Sequence, residues 1–188
     1  MILSDQDIIT AINKGELQVS PLNQEFIQPA SIDLTLCSTI RIFDLQNTEY
    51  IDIKEWIDPS KEVELEKDGA FLLRPDDFIL GATVENITLP SYLAARVEGR
   101  SSLGRLGLMI QASAGYISPG FSGSITLEIK NISCIPLKLY VGMRIVQIIF
   151  EVMSSPALNP YGHPNSNHKY QYQNKPTSSK IWKDFKDS

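Results

Sequence analysis

Two short stretches and a turn hold most of the residues in this chain that could do chemistry. Arg100-Ser101-Ser102-Leu103-Gly104-Arg105 places two guanidinium groups and two hydroxyls around a potential helix start. Backbone N–H groups at such a start, with arginines beside them, suit a chain of phosphates. From residue types alone, a capped helix with solvated arginines is the more frequent meaning of such a cluster. Ser124 to Lys130, SITLEIK, has a strict period of two. Ile125, Leu127 and Ile129 share one face, and Thr126, Glu128 and Lys130 share the other. A lone carboxylate on a stiff strand can take a proton from water and return it to a leaving amine. A solvent-facing glutamate on an edge strand fits the same pattern, because glutamates are mostly exposed. Ser118-Pro119-Gly120-Phe121-Ser122-Gly123 is a glycine-bearing turn that lets backbone approach a ligand, or a plain hairpin turn. Near the C-terminus, Tyr161, Lys169, Tyr170 and Gln173 can close over a base and a phosphate, or can lie free.

Several familiar chemistries lack their parts. A zinc-dependent base deaminase needs His-x-Glu followed by Pro-Cys-x-x-Cys. Here the histidines are His163 and His168, late in the chain, and the two cysteines, Cys37 and Cys134, are far apart. No zinc site is expected, and a Ser-His-Asp or Cys-His mechanism is disfavoured for the same reason. There is no Walker A loop and no G-x-G-x-x-G. A net charge of -5 argues against DNA or RNA polymers as main ligands, yet a few arginines can still make a local pocket for a small anion.

The elements that must position these groups are those of a β-rich domain. With 43% hydrophobic and 21% charged residues, the chain reads as one soluble globular domain with a real core. No apolar run is long enough for a membrane span, the opening MILSDQDII lacks a basic signal region, and a cytoplasmic address is expected. Cys37 and Cys134 are expected as buried free thiols. Ser4 as N-cap, Asp7 at the third helical position, a Leu3–Ile8 staple and Gly15 as a stop predict an N-terminal helix. Ile32, Leu34 and Leu36 alternate with Asp33 and Thr35, the period of a half-buried strand. Further strands are predicted at Thr39 to Phe43, Phe78 to Val84, Leu93 to Val97, Ser124 to Lys130, Leu137 to Tyr140 and Arg144 to Phe150, separated by Gly and Pro turn signals. Glu98 to Leu108 reads as a turn and a short helix. Many short strands with few helices point to a barrel, a sandwich or a jelly roll. Residues 1–155 form the predicted domain. Residues 156–188, polar, aromatic and interrupted by four prolines, read as a flexible arm.

Taken together, several motifs strongly resemble the dCTP deaminase family. They are Gly99-Arg-Ser-Ser-Leu-Gly-Arg-Leu-Gly107, Pro119-Gly-Phe-Ser-Gly-Ser-Ile-Thr-Leu-Glu128, Met1-Ile-Leu-Ser-Asp-Gln-Asp-Ile8, Gln28-Pro-Ala-Ser-Ile-Asp-Leu34, Ser154-Ser-Pro-Ala157, Pro160-Tyr161 and Lys169-Tyr-Gln-Tyr-Gln173. The likeness runs nearly end to end. It implies a mainly β, dUTPase-like subunit (a distorted β-barrel or jelly roll) with a short N-terminal helix, one further short helix and a C-terminal arm closing over the site. It also implies a homotrimer with active sites at subunit interfaces, and zinc-free deamination of dCTP bound with Mg2+. dTTP is raised as a candidate inhibitor. By position, Arg100, Ser101, Ser102, Leu103, Gly104 and Arg105 would hold the phosphates, with Ser101 and Arg105 also near the reacting base. Glu128 would be the general base and acid, and Ala114 would lend a backbone carbonyl. Thr126, Leu127 and Glu128 would line the base pocket, while Gln147, Tyr161, Lys169 and Gln173 complete the contacts.

Gly115-Tyr116 and Gln147 match members of that family that both deaminate and cleave the triphosphate to dUMP. Ser118 is a departure, since the family normally has an aspartate there to contact the sugar 3′-hydroxyl and help order water. A serine can still hydrogen-bond the hydroxyl but supplies no negative charge. Gln111 stands where several relatives have histidine. The readings kept open beside a dUMP-forming deaminase are a deaminase releasing dUTP and ammonia, and a non-catalytic nucleotide-binding trimer. A pure dUTPase is disfavoured because its glycine-rich C-terminal motif is absent.

Overall fold

The computed structural model describes residues 1–43, 49–111 and 113–186. Residues 187 and 188 of the expected arm lie outside the described residues. The N-terminal helix α1 (Asp5–Asn13) forms as its punctuation requires: Ser4 caps it in a reciprocal capping box with Asp7, and Gly15 leaves it at φ +71°. In chain order the strands are β1 (Gln18–Ser20), β2 (Ile27–Gln28), β3 (Ser31–Thr35), β4 (Thr39–Phe43), β5 (Ser60–Glu64), β6 (Ala70–Leu73), β7 (Phe78–Thr88), β8 (Leu93–Gly99), β9 (Leu108–Ile110), β10 (Tyr116–Ile117), β11 (Ser122–Asn131), β12 (Leu137–Tyr140) and β13 (Arg144–Val152). A four-residue helix, α2 (Ser101–Gly104), follows β8, so the predicted helix is shorter than Glu98 to Leu108 and is flanked by strand on both sides.

The described strands pair antiparallel into a β5-β4-β7-β11-β9 sheet with β1 on β7, a β10-β8-β13-β3-β2 sheet, and a β12-β6 ribbon. The arrangement is a sandwich of jelly-roll kind; no closed barrel forms among the described strands. Its core holds Ile32, Leu34 and Leu36, Ile125, Leu127 and Ile129, and Ile145, Ile148 and Phe150. Burying one such side chain contributes roughly 1.5–3 kcal/mol.

Three expectations are corrected. β3 is buried on both faces rather than one: Asp33 and Thr35 are 4% and 7% exposed. They tolerate burial because both are partnered. Thr35 donates from its N–H and its hydroxyl to Glu85, at 2.9 and 2.8 Å, and burial pushes the Glu85 carboxyl up. The cysteines are not both buried, since Cys134 is exposed and Cys37 only partly covered. The arm does not lie free. Its backbone is hydrogen-bonded along the turn before β11 and along β11 itself, from Tyr161 to Thr177.

Candidate active site

β11 fixes Glu128. The period of two sends Ile125, Leu127 and Ile129 into the core, at 2% exposure or less, and turns Thr126 and Glu128 to the outer face. Leu127, turned into the core, does not line the cleft that Thr126 and Glu128 line. The strand is not an edge at Glu128: Leu80 of β7 lies opposite on one side, and Gln111 bonds it on the other. The neighbouring outer-face positions are Phe78 and Leu80 of β7 and Phe43 of β4, with the two phenyl centroids 5.3 Å apart. These side chains floor a cleft of about 620 Å³. Part of residues 51–59 and residues 177–182 of the arm roof it, with Ile53, Ile57 and Trp182 among the lining groups. That volume suits a small-molecule ligand.

Around the carboxylate the polar groups are few and fixed. The Ser113 hydroxyl donates to Glu128 Oε2. Gln111 Oε1 accepts from the Glu128 N–H at 3.1 Å, and Gln111 Nε2 donates to the Ala114 carbonyl at 3.0 Å. Tyr116, Ser118 and Thr126 line the same cleft. Gly115 accepts from the Val97 N–H at 2.8 Å, and a Cβ there would stand 2.6 Å from the Val97 carbonyl oxygen, so close backbone approach explains the glycine.

The turn before β11 receives the arm. Tyr161 N–H donates to the Pro119 carbonyl at 2.7 Å, and its ring sits 5.9 Å from Phe121 and 4.1 Å from His168. Ser124 N–H donates to the Gln173 carbonyl at 2.8 Å, while Gln173 Nε2 donates to the Ser124 carbonyl at 2.9 Å. Gly123, at φ +143°, makes this possible, because a Cβ would lie 2.7 Å from the Gln173 oxygen. Thr177 N–H donates to Thr126 Oγ1 at 3.1 Å. Two polar atoms in the cleft lining, Gln173 Oε1 and Trp182 Nε1, are buried without a partner among the described residues. An acceptor and a donor left so are expensive unless a ligand or water meets them. Lys169 instead pairs with Asp184 at 2.5 Å, inside the arm.

The other predicted residues gather elsewhere. Arg100, Ser101, Ser102 and Gln147 line a second cleft of about 330 Å³ with Ser31 and Asp33. The two clefts share no lining residue. Asp33 organises the second one: Arg100 Nη2 is 3.4 Å and Arg144 Nη1 3.1 Å from its Oδ2, and Arg100 also donates to the Arg144 carbonyl at 3.4 Å. The Ser31 hydroxyl donates to Gln147 Oε1 at 3.3 Å. Arg105 closes α2 and is exposed, with no ion pair among the described residues; Gly104 is exposed beside it, and Leu103 packs on the core. Sequence reasoning missed Asp33, Ser113 and Arg144. Only Asp33, the one charged residue of β3, could have signalled itself. Among the described residues no group of three or more His, Cys, Asp or Glu is placed to hold a metal ion.

A family model described as dCTP deaminase-like matches residues 2–153. The chain belongs to the dCTP deaminase-like family. Across 189 residues it is 47% identical to a protein of Corynebacterium jeikeium (strain K411) named dCTP deaminase, dUMP-forming, covering 98% of this chain and 99% of the relative. A Methanosphaera stadtmanae protein of the same name is 45% identical, with 98% and 95% covered. The fold resembles the crystal structure of 2'-deoxycytidine 5'-triphosphate deaminase from Agrobacterium tumefaciens, at TM-score 0.63 and 24% identity over 80% of this chain and 47% of that one.

Proposed function

We propose that this member of the dCTP deaminase-like family converts dCTP to dUMP, releasing ammonia and diphosphate. The observation that carries the reading is Glu128: a strand-mounted carboxylate in a largely apolar, arm-roofed cleft, met by the Ser113 hydroxyl and tied through Gln111 to the Ala114 carbonyl. In the reaction Glu128 takes a proton from water as the water oxygen attacks C4 of cytosine. It passes that proton to the ring nitrogen N3, then carries the proton of the new C4 hydroxyl to the amino group, which leaves as ammonia as the C4 carbonyl forms. The Ala114 carbonyl orients the water or the leaving amine, and the low-dielectric roof strengthens each of these contacts.

The triphosphate, carried with its Mg2+ as part of the substrate, needs the Arg100-Ser101-Ser102 cluster, with Arg105 at its end and Gln147 beside it. These residues stand outside the Glu128 cleft of their own subunit, so we assign them to the site of a neighbouring copy in a homotrimer. Residues 156–188 act as the lid of the same domain, with Tyr161, Lys169 and Gln173 contacting nucleotide as the lid seats. Gly115-Tyr116 and Gln147 favour the dUMP-forming course over release of dUTP. Ser118 meets the sugar 3′-hydroxyl. The enzyme works in the cytoplasmic nucleotide pool. The deciding experiment is incubation with dCTP and magnesium, separating dUTP, dUMP and diphosphate. dUMP with matching diphosphate and ammonia is expected, and accumulation of dUTP alone would leave only the deamination.

A further inference from the structure

Gln111 occupies the point where the β9–β11 ladder ends. Ile110 and Ile129 form a regular antiparallel pair, and the next rung begins normally, with the Gln111 N–H donating to the Glu128 carbonyl at 2.9 Å. The reciprocal bond is not made by backbone. Gln111 turns to φ +54°, a left-handed conformation uncommon outside glycine and asparagine, and its main chain leaves the strand. Its side-chain Oε1 accepts the Glu128 N–H instead, at 3.1 Å. The other end of the same amide, Nε2, donates to the Ala114 carbonyl at 3.0 Å. One planar group thus replaces a missing backbone acceptor under the proposed base and holds the proposed carbonyl three residues on. Beyond that carbonyl the loop is tied again, where Gly115 accepts from Val97 on the opposite sheet.

From this geometry we infer that Gln111 is a positioning residue for the deamination step, setting the Glu128 carboxylate and the Ala114 carbonyl in one frame. The inference rests on the roles given above to Glu128 and Ala114. It depends on a side chain that accepts and donates at once. Leucine does neither. Glutamate keeps the acceptor and loses the donor. Histidine does both only as the neutral ring. A small misplacement of reacting groups costs rate rather than binding.

The test compares wild type, Gln111→Leu, Gln111→Glu and Gln111→His. Gln111→Leu is expected to lower kcat for dCTP deamination roughly 10- to 100-fold while KM stays within about threefold. Gln111→Glu should fall likewise. Gln111→His should work best above the imidazole range and lose activity as pH falls through about 6.5, because imidazolium cannot accept from the Glu128 N–H. Glu128 and the other titratable groups lining the cleft are common to both forms, so the difference between the His and wild-type profiles is what is read. Amide exchange supplies a readout free of catalysis: the Glu128 N–H should exchange faster in Gln111→Leu while those of Leu127 and Ile129 hold. Wild-type kcat in Gln111→Leu would overturn the inference. So would a loss shared equally by kcat, KM and global stability. If wild type itself does not deaminate dCTP, the functional reading fails, and Glu128 exchange still decides whether the clamp exists.

Discussion

Glu128 and Arg100 stand in clefts that are built in opposite ways. Around Glu128 the floor is Phe43, Phe78 and Leu80, the roof comes from two covering segments, and the polar groups nearest the carboxylate, Ser113, Gln111 and the Ala114 carbonyl, are linked by hydrogen bonds. Around Arg100 the walls are Gln28, Ser31, Ser101 and Gln147, polar side chains of which Ser101 is exposed, and a nearly buried aspartate holds two guanidinium groups in place. The first cleft suits a proton shuttle, which needs exclusion of bulk water beyond the one that reacts, and a fixed geometry. The second suits a multiply charged chain, which needs oriented positive charge that stays solvated until it is met. The two share no lining residue, and on the proposed reading each copy carries two half-sites, one of them completed by a second copy.

The largest test of this division removes the base. Glu128→Gln should lower deamination by about two to four orders of magnitude while nucleotide binding survives; an unchanged rate would take Glu128 out of the mechanism. The division itself is sharpened by mixing. Glu128→Gln and an Arg100→Ala, Ser101→Ala variant should each be inactive alone. After co-refolding, roughly a quarter of interfaces would combine an intact carboxylate with an intact anion cradle, so activity should return. No recovery would mean that both halves act within one subunit.

How much of this could be read from the chain divides along the same line. The carboxylate half was legible, because β11 keeps a clean period of two and Glu128 is the one acid on its outer face. So were β4 and β12, whose bounds match the apolar runs, and α1, whose caps are written in Ser4, Asp7 and Gly15. The anion half was legible as residue types but not as a place. Asp33 pairs with Arg144, 111 residues away, and no local pattern encodes such a partner. β2 and β10 are two residues long, too short for any periodicity to show. The closing of the arm was legible through the family resemblance and not through pattern: it is held by backbone and side-chain hydrogen bonds to β11 and to the turn before it, and these leave no apolar signature.

Two smaller effects follow within the Glu128 cleft. Ser118→Asp places a charge beside the water that must attack the α-phosphorus, and should raise dUMP formation about 10- to 100-fold more than it raises deamination. A quench-flow time course following dUTP, dUMP and diphosphate separates the two steps; equal rates in both forms would show that the serine costs nothing. Gly123→Ala sets a Cβ against the Gln173 carbonyl and should loosen the arm. KM for dCTP should rise about five- to tenfold, and trypsin should cut sooner at Lys169 and Lys180, with kcat less affected. Unchanged cleavage would mean that the arm is held from elsewhere.

The arm's bonds to β11 have one more consequence. β9 covers only the last three residues of that strand's free side, Ile129 to Asn131. On that side the Ser122 N–H donates to Gln171 Oε1 and its C=O accepts from Tyr172, while both groups of Ser124 are taken by Gln173. If the arm lifts as the proposed lid, it bares a length of sheet edge able to pair with another chain. A protein truncated before Tyr172 would carry that edge permanently and should self-associate at lower concentration than the intact chain. The arm that roofs the cleft also covers this stretch of sheet edge, and the truncation reads what that cover is worth.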